Sequence, residues 1–171
     1  MARTTDPMQR FVRLGAAIQY ELTRLAGIQS EAEQALGDFA ERVPPLRELR
    51  GIGDILHDFY TGAERIFEKI APELNGGLPA GPMWHRELLN NMALELPGIR
   101  PAVIQQTTAR KLEEFLRFRH LFRNLYGFEL EWSKLKLLLQ QLPTTMAALR
   151  GDLERFTDFL MRAGQDQTTP V

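Results

Sequence analysis

The segment Arg117-Phe118-Arg119-His120-Leu121-Phe122-Arg123-Asn124-Leu125-Tyr126 reads as the end of an amphipathic helix. Phe115, Phe118, Phe122 and Leu125 recur at steps of three and four, so they share one apolar face. Arg119, Arg123 and Tyr126 also recur at steps of four and three and define a second face, with His120 on its flank. Gly127 suits the left-handed conformation that closes many helices, which predicts Asn124 and Tyr126 in the final turn. One helix end would then gather two guanidiniums, an imidazole, a carboxamide and a phenol.

The same periodicity extends in both directions. Upstream, Phe11, Leu14, Ile18, Leu22, Leu25, Ile28, Ala32, Leu36, Phe39 and Val43 form the stripe of one long helix. Asp6-Pro7 supplies its cap and first-turn proline, and Pro44-Pro45 its stop. Leu46, Leu49, Ile52, Leu56, Phe59, Ala63, Ile66 and Ile70 form a second stripe that ends before Pro72. These two predict a long antiparallel hairpin. A short helix is expected over Met83–Leu96, an irregular stretch over Ile99–Gln106, and the motif helix after a cap at Thr107 or Thr108. Downstream, Trp132 opens a stripe from Leu135 to Leu160 with Pro143 in its middle, which predicts a kink or two collinear helices. No strand-like alternation or internal repeat interrupts this pattern. The expectation is an all-α bundle forming a single domain over 1–171, with a flexible polar tail over 164–171.

Composition narrows the chemistry. A chain of 171 residues with 44% apolar content can bury a sizeable core. The net charge of −1 gives no global field toward nucleic acid, so any such site must be a local patch. There are 0 cysteines, hence no thiolate ligand or nucleophile. The 3 histidines are far apart, without the spacing of a zinc site, so no metal and no cofactor is expected. Gly76-Gly77-Leu78-Pro79-Ala80-Gly81 lacks the Lys-Ser/Thr pair of a triphosphate loop and reads as a turn. The opening Met1–Pro7 has no apolar signal core, and no apolar run reaches about 18 residues. A soluble, cytoplasmic protein without a membrane partner is the expectation.

The order Arg119, four residues, Asn124, one residue, Tyr126 resembles the Arg-x4-His-x-Tyr signature of HepT toxins, members of the HEPN superfamily of helical ribonucleases. The words around it, and Gly76-Gly77-Leu78-Pro79 followed by Trp84-His85-Arg86-Glu87-Leu88-Leu89, are also similar to HepT-like proteins. The likeness runs from about Ala16 to Met161. It implies a HEPN bundle that cleaves RNA at a cleft shared by two subunits, with the signature Arg and His as catalytic groups. It further implies a nucleotidyltransferase antitoxin that silences the site by adding AMP to the signature tyrosine, here Tyr126. One position departs: Asn124 stands where the signature has His.

Metal-independent RNA cleavage must remove the proton of a 2′-hydroxyl, stabilise a charged pentacoordinate phosphate and protonate the leaving oxygen. Imidazole suits the first or last task and guanidinium the second. Arg119, His120 and Asn124 are therefore the candidate catalytic set, with Arg117 and Arg123 as candidate phosphate or RNA ligands. A carboxamide exchanges no proton near neutrality but can hold a phosphate oxygen or orient water. His120 is the candidate replacement, its direction differing from that of position 124 by about 40° on an ideal helix. If Asn124 disarms the site, restoring His there should restore toxicity.

Plainer readings compete at each residue. An arginine stem can lie along apolar surface with its head in water, although clustering Arg117, Arg119, His120 and Arg123 is locally repulsive. A lone tyrosine usually finds an ordinary hydrogen bond. His57 and His85 read as packing or interface residues, and Asp54, Asp58 and Glu64 as one solvated acidic face. The long apolar stripes predict a homodimer that buries their flanks and merges two basic clusters. The leading expectation is a HepT-like ribonuclease toxin. The alternative is a non-catalytic HEPN subunit that docks a nucleotidyltransferase and binds RNA or nucleotide phosphates. The first depends on the Arg119 guanidinium being open to a phosphodiester; an internal salt bridge there, with His120 aimed into solvent, counts against it.

Overall fold

The computed structural model describes residues 6–126 and 129–166. Its elements are α1 (Pro7–Asp38), α2 (Leu46–Leu74), α3 (Trp84–Met92), α4 (Gln106–Phe122) and α5 (Trp132–Asp166), with no strand among the described residues. This is the expected all-α bundle of two long N-terminal helices, a short one, the motif helix and a long C-terminal helix.

Cross-helix partners fix the directions. Arg10 meets Glu73, Glu21 meets Lys69, and Leu25 lies against Gly62, so α1 and α2 run antiparallel. α5 returns along α1 in the same manner: Phe39 stacks edge-on against Trp132 at 6.2 Å, and Gly15 lies beside Thr157 and Met161. α4 packs on α2 with Phe59 against Phe115, ring centroids 4.8 Å apart, and Gly53 against Phe122. The stripes read from the sequence form the core: Leu14, Ile18, Leu22 and Leu25 of α1 meet Leu56, Phe59, Tyr60, Ala63, Ile66, Phe67 and Ile70 of α2. No described helix is long and apolar enough to cross a membrane.

Several boundaries differ from the sequence expectation, each for a local reason. At the start of α1 the Asp6 carboxylate accepts the Met8 N–H and Pro7 occupies the first turn, as expected. The helix then stops at Asp38 rather than near Val43. Phe39 is the last stripe member in the core, while Val43 is exposed and sits before a proline that disfavours helical geometry. α2 continues past Pro72 to Leu74, because a proline in the last turn forfeits only one backbone bond while Ala71 stays buried. The turn follows at Gly76 and Gly77, both at positive φ (78° and 136°). α5 is one helix through Pro143. It also takes in Gly164–Asp166, grouped with the tail on sequence; Gly164 is buried against Met8 and Phe11, and the remainder of that tail lies outside the described residues.

α4 corrects the reading that opened the sequence. Neither Thr107 nor Thr108 caps it; Gln105 is the cap residue, and its N–H is bound at 2.9 Å by the Asp152 carboxylate from α5. At the other end the helix closes at Phe122 with Arg123 as C-cap, so Asn124 and Tyr126 lie beyond it rather than in its last turn. Gly127, the expected stop, lies outside the described residues.

Candidate functional site

The centre of the site is Glu64, in the buried half of α2. It belongs to no acidic face: Asp54 and Asp58 are exposed, whereas Glu64 is 3% exposed. Six residues at about 100° each carry it well round the helix from Asp58, toward α3 and α4. Its two oxygens have separate partners. Oε1 accepts from Arg119 Nη1 at 2.9 Å, and Oε2 lies 2.6 Å from His85 Nδ1.

Arg119 is thus turned inward. It is 8% exposed, its Nη1 is also 3.1 Å from His85 Nδ1, and its guanidinium carbon lies 5.9 Å from the Tyr60 ring centre. Arg119 Nε and the Tyr60 hydroxyl are buried with no hydrogen-bond partner among the described residues. Burial and then the Glu64 charge push the Tyr60 phenol well above its ordinary range, with Arg119 opposing. Neither the snorkelling reading nor the expected open guanidinium holds for this arginine: it is the cation of a buried ion pair with Glu64, so it is not itself open to a phosphodiester, while His120 lies against the His85 ring rather than in empty solvent.

His85 is the residue that sequence reasoning passed over. Its ring stacks on Trp84 at 3.7 Å between centroids, and the His120 ring meets it edge-on at 5.7 Å. One imidazole and a guanidinium therefore meet one carboxylate, and a second imidazole lies against the first, the four groups coming from three helices. His120 is on the exposed side of this cluster. Its pKa is lowered, first by desolvation, then by the positive fields of His85 and Arg119, with Glu64 opposing and Arg123 adding to the depression. Glu68, one turn after Glu64, has a raised pKa because burial and the Glu64 charge disfavour its anion, with His85, Arg119 and Arg65 opposing.

The remaining expected residues are placed differently. Arg117 pairs with Glu113 at 3.3 Å and Glu114 at 3.2 Å, and Arg86 pairs with Glu113 at 2.6 Å. The Arg86 hydrogen bond, helped by Arg117, lowers the Glu113 pKa. Those cations are largely compensated on the helix surface. Arg123 is exposed. Asn124 donates its side-chain N–H to the His120 carbonyl at 3.0 Å and so closes the helix end instead of joining the cluster. Tyr126 is 71% exposed, and its backbone N–H donates to Glu129 at 2.7 Å. His57 lies 6.0 Å from Phe122, in the packing role expected of it. Among the described residues, no three His, Asp or Glu side chains gather as a metal-binding group.

The meeting of Glu64, His85 and Arg119 was not legible beforehand because the partners lie 21 and 55 positions from Glu64. The available signal was the Trp84-His85 word itself, which carries part of the family likeness.

Comparison with known proteins gives one match. No curated protein and no solved structure matches the chain, but a family model described as HepT-like protein matches residues 51–160. That span begins in α2 and reaches nearly to the end of α5, so it contains Glu64, His85, Arg119, His120, Asn124 and Tyr126. The matched span covers more than half of the chain, and with the all-α bundle it makes this protein a member of the HepT-like family.

Proposed function

We propose that this chain is the ribonuclease toxin of a toxin–antitoxin pair and cleaves RNA without metal at the α3–α4 cluster. The observation that carries the reading is the contact of His120 with the His85 ring, which together with Arg119 is held by the buried Glu64. His120 is the group best suited to take the proton of a 2′-hydroxyl: it is exposed, and desolvation, then the charges of His85 and Arg119, lower its pKa and favour the neutral form. Arg119 acts mainly by fixing Glu64 and His85. Arg123, exposed and close enough for its charge to be felt by His120, is the cation available to a phosphate. Arg117 extends the contact with RNA only where phosphate displaces Glu113 and Glu114.

Membership of the HepT-like family supports two partners. A homodimer would bring two copies of the α4 end together, where Leu121, Leu125 and Tyr126 are exposed. A nucleotidyltransferase antitoxin would silence the toxin by joining AMP from ATP to the Tyr126 hydroxyl, with release of pyrophosphate. The exposed position of Tyr126, a few residues after Arg119 and His120, supports this. Mass analysis of the Tyr126 peptide after co-expression with such an enzyme tests it, and an unmodified peptide removes the assignment.

One second reading has a specific observation behind it. Asn124 is committed to the His120 carbonyl and Arg119 to Glu64, which fits a non-catalytic HEPN subunit that docks the nucleotidyltransferase and binds RNA or nucleotide phosphates. Incubation of purified protein with tRNA and structured RNA in chelator separates the two. The toxin reading expects products with 2′,3′-cyclic phosphate ends and loss of cutting and of cell toxicity in His120→Ala. RNA that is bound but left intact would establish the alternative.

A further inference from the structure

The geometry points to His85 as the proton donor to the leaving oxygen, paired with His120 as base and oriented by Glu64. This inference rests on the ribonuclease reading and adds a residue that the family signature does not contain.

The tautomer follows from the contacts. Glu64, the anion of the Arg119 pair, has no proton to give, so the 2.6 Å contact makes His85 Nδ1–H the donor and Oε2 the acceptor. Arg119 Nη1, at 3.1 Å from the same nitrogen, is itself a donor and directs its proton to Oε1 instead. His85 Nε2 is left as the nitrogen that can gain and release a proton. The carboxylate balances the charge of the imidazolium while the proton is held, and it keeps the ring in one orientation. His120 faces this ring edge-on at 5.7 Å, and its depressed pKa favours the neutral form that a base requires. One ring held against a carboxylate and a second kept neutral beside it suit the roles of acid and base.

The step balances with these residues alone. His120 takes the 2′-hydroxyl proton as the 2′-oxygen bonds to phosphorus. The bond from phosphorus to the 5′-oxygen breaks, and that oxygen receives the proton from His85 Nε2. The products are a 2′,3′-cyclic phosphate and a 5′-hydroxyl, and exchange with water resets both rings. The arrangement also accounts for Asn124: with a donor supplied from α3, position 124 has no proton to transfer and is free to close the helix. The charged groups facing the pair are Glu64 and Glu68 from α2 and Arg119 and Arg123 from α4.

The test compares an RNA dinucleotide with uridine 3′-(4-nitrophenyl phosphate), whose leaving group needs no proton. His85→Ala should lose about 100-fold or more in kcat on the dinucleotide with KM little changed, and should lose the alkaline limb of the pH–rate profile. On the nitrophenyl ester it should remain within about tenfold of wild type, while His120→Ala should be slow on both. If His85→Ala slows both substrates equally, or neither, His85 is not the donor although the ribonuclease reading stands. If wild-type protein cuts neither substrate, both fall together. Nitrogen-15 shifts of the His85 ring give a readout independent of turnover: neutral His85 should carry its proton on Nδ1, and a proton on Nε2 would overturn the assignment.

Discussion

Glu64 Oε1 and Arg119 Nη1 lie 2.9 Å apart with both side chains almost wholly withdrawn from solvent. Such a pair does not guarantee net stability, because taking two charges out of water costs about as much as their attraction returns. Removing one member is another matter, since the charge left behind has neither water nor partner. Arg119→Met and Glu64→Gln should each destabilise the fold by about 3–5 kcal/mol in urea unfolding. The double variant should recover part of that loss. Single variants that unfold within about 1 kcal/mol of wild type would mean that water reaches the pair and that Arg119 is available to RNA after all.

Two glycines should respond to alanine in opposite directions. A Cβ at Gly62 would stand 2.6 Å from Leu25 Cδ2 across the α1–α2 contact, so Gly62→Ala should cost about 1–3 kcal/mol. Gly27, inside α1, has nothing within 4 Å of such a Cβ. Gly27→Ala should therefore stabilise by roughly 0.5–1 kcal/mol through helix propensity alone. Thermal melts of the two variants check the packing of the hairpin; equal shifts of the same sign would contradict it.

The titration of the site should be visible in stability. His120 has a depressed pKa in the folded chain, against an ordinary value of 6.5. As pH falls through 6.5 the unfolded chain takes up a proton that the folded chain resists, so this residue's contribution is present above that pH and lost below it. Glu68 runs the other way, its raised pKa penalising the folded anion above its folded value and releasing the penalty toward 4.5. Wild type should lose stability relative to His120→Gln between about pH 7 and about pH 5.5, and Glu68→Gln should gain on wild type near neutrality. Urea midpoints across that range decide it. Parallel curves for His120→Gln and wild type would show that His120 titrates as it does in an open chain.

These residues also show how far the sequence could be read. Apolar steps of three and four reveal α1, α2 and α5 because burial of a stripe is a local pattern, visible at Leu22, Leu56 or Leu149 without knowing the partner. Helix ends depend on more. α4 begins where Asp152 reaches across from α5, and it ends at Phe122, beyond which Leu125 is exposed rather than continuing the apolar face. The position of Arg119 was legible from its signature, but its inward direction was not. That depends on Glu64, whose angular distance from Asp58 takes it off the acidic face, and on His85, which only the folded α3 brings near.

Arg100 ties the end of α3 to the end of α2, in addition to the burial of Leu88, Leu89 and Met92. It is buried, and its guanidinium spans the gap between the end of α2 and the loop after α3. Nε donates to Asn75 Oδ1 at 2.8 Å, Nη1 to the carbonyls of Leu94 at 2.7 Å and Pro101 at 2.9 Å, and Nη2 to that of Asn91 at 2.9 Å. Desolvation lowers its pKa, so those four acceptors are what offset the cost of burying it. Lysine keeps the charge but cannot reproduce the planar fork, so Arg100→Lys should lose about 2–4 kcal/mol. Because α3 carries His85, the same change should loosen the contact of His85 with Glu64 before the bundle melts. Amide exchange should therefore speed up over residues 84–92 of Arg100→Lys while the α1–α2 hairpin keeps its protection. Uniform acceleration across all helices would instead mean that α3 and the hairpin open as one unit, and that the position of His85 does not depend on Arg100.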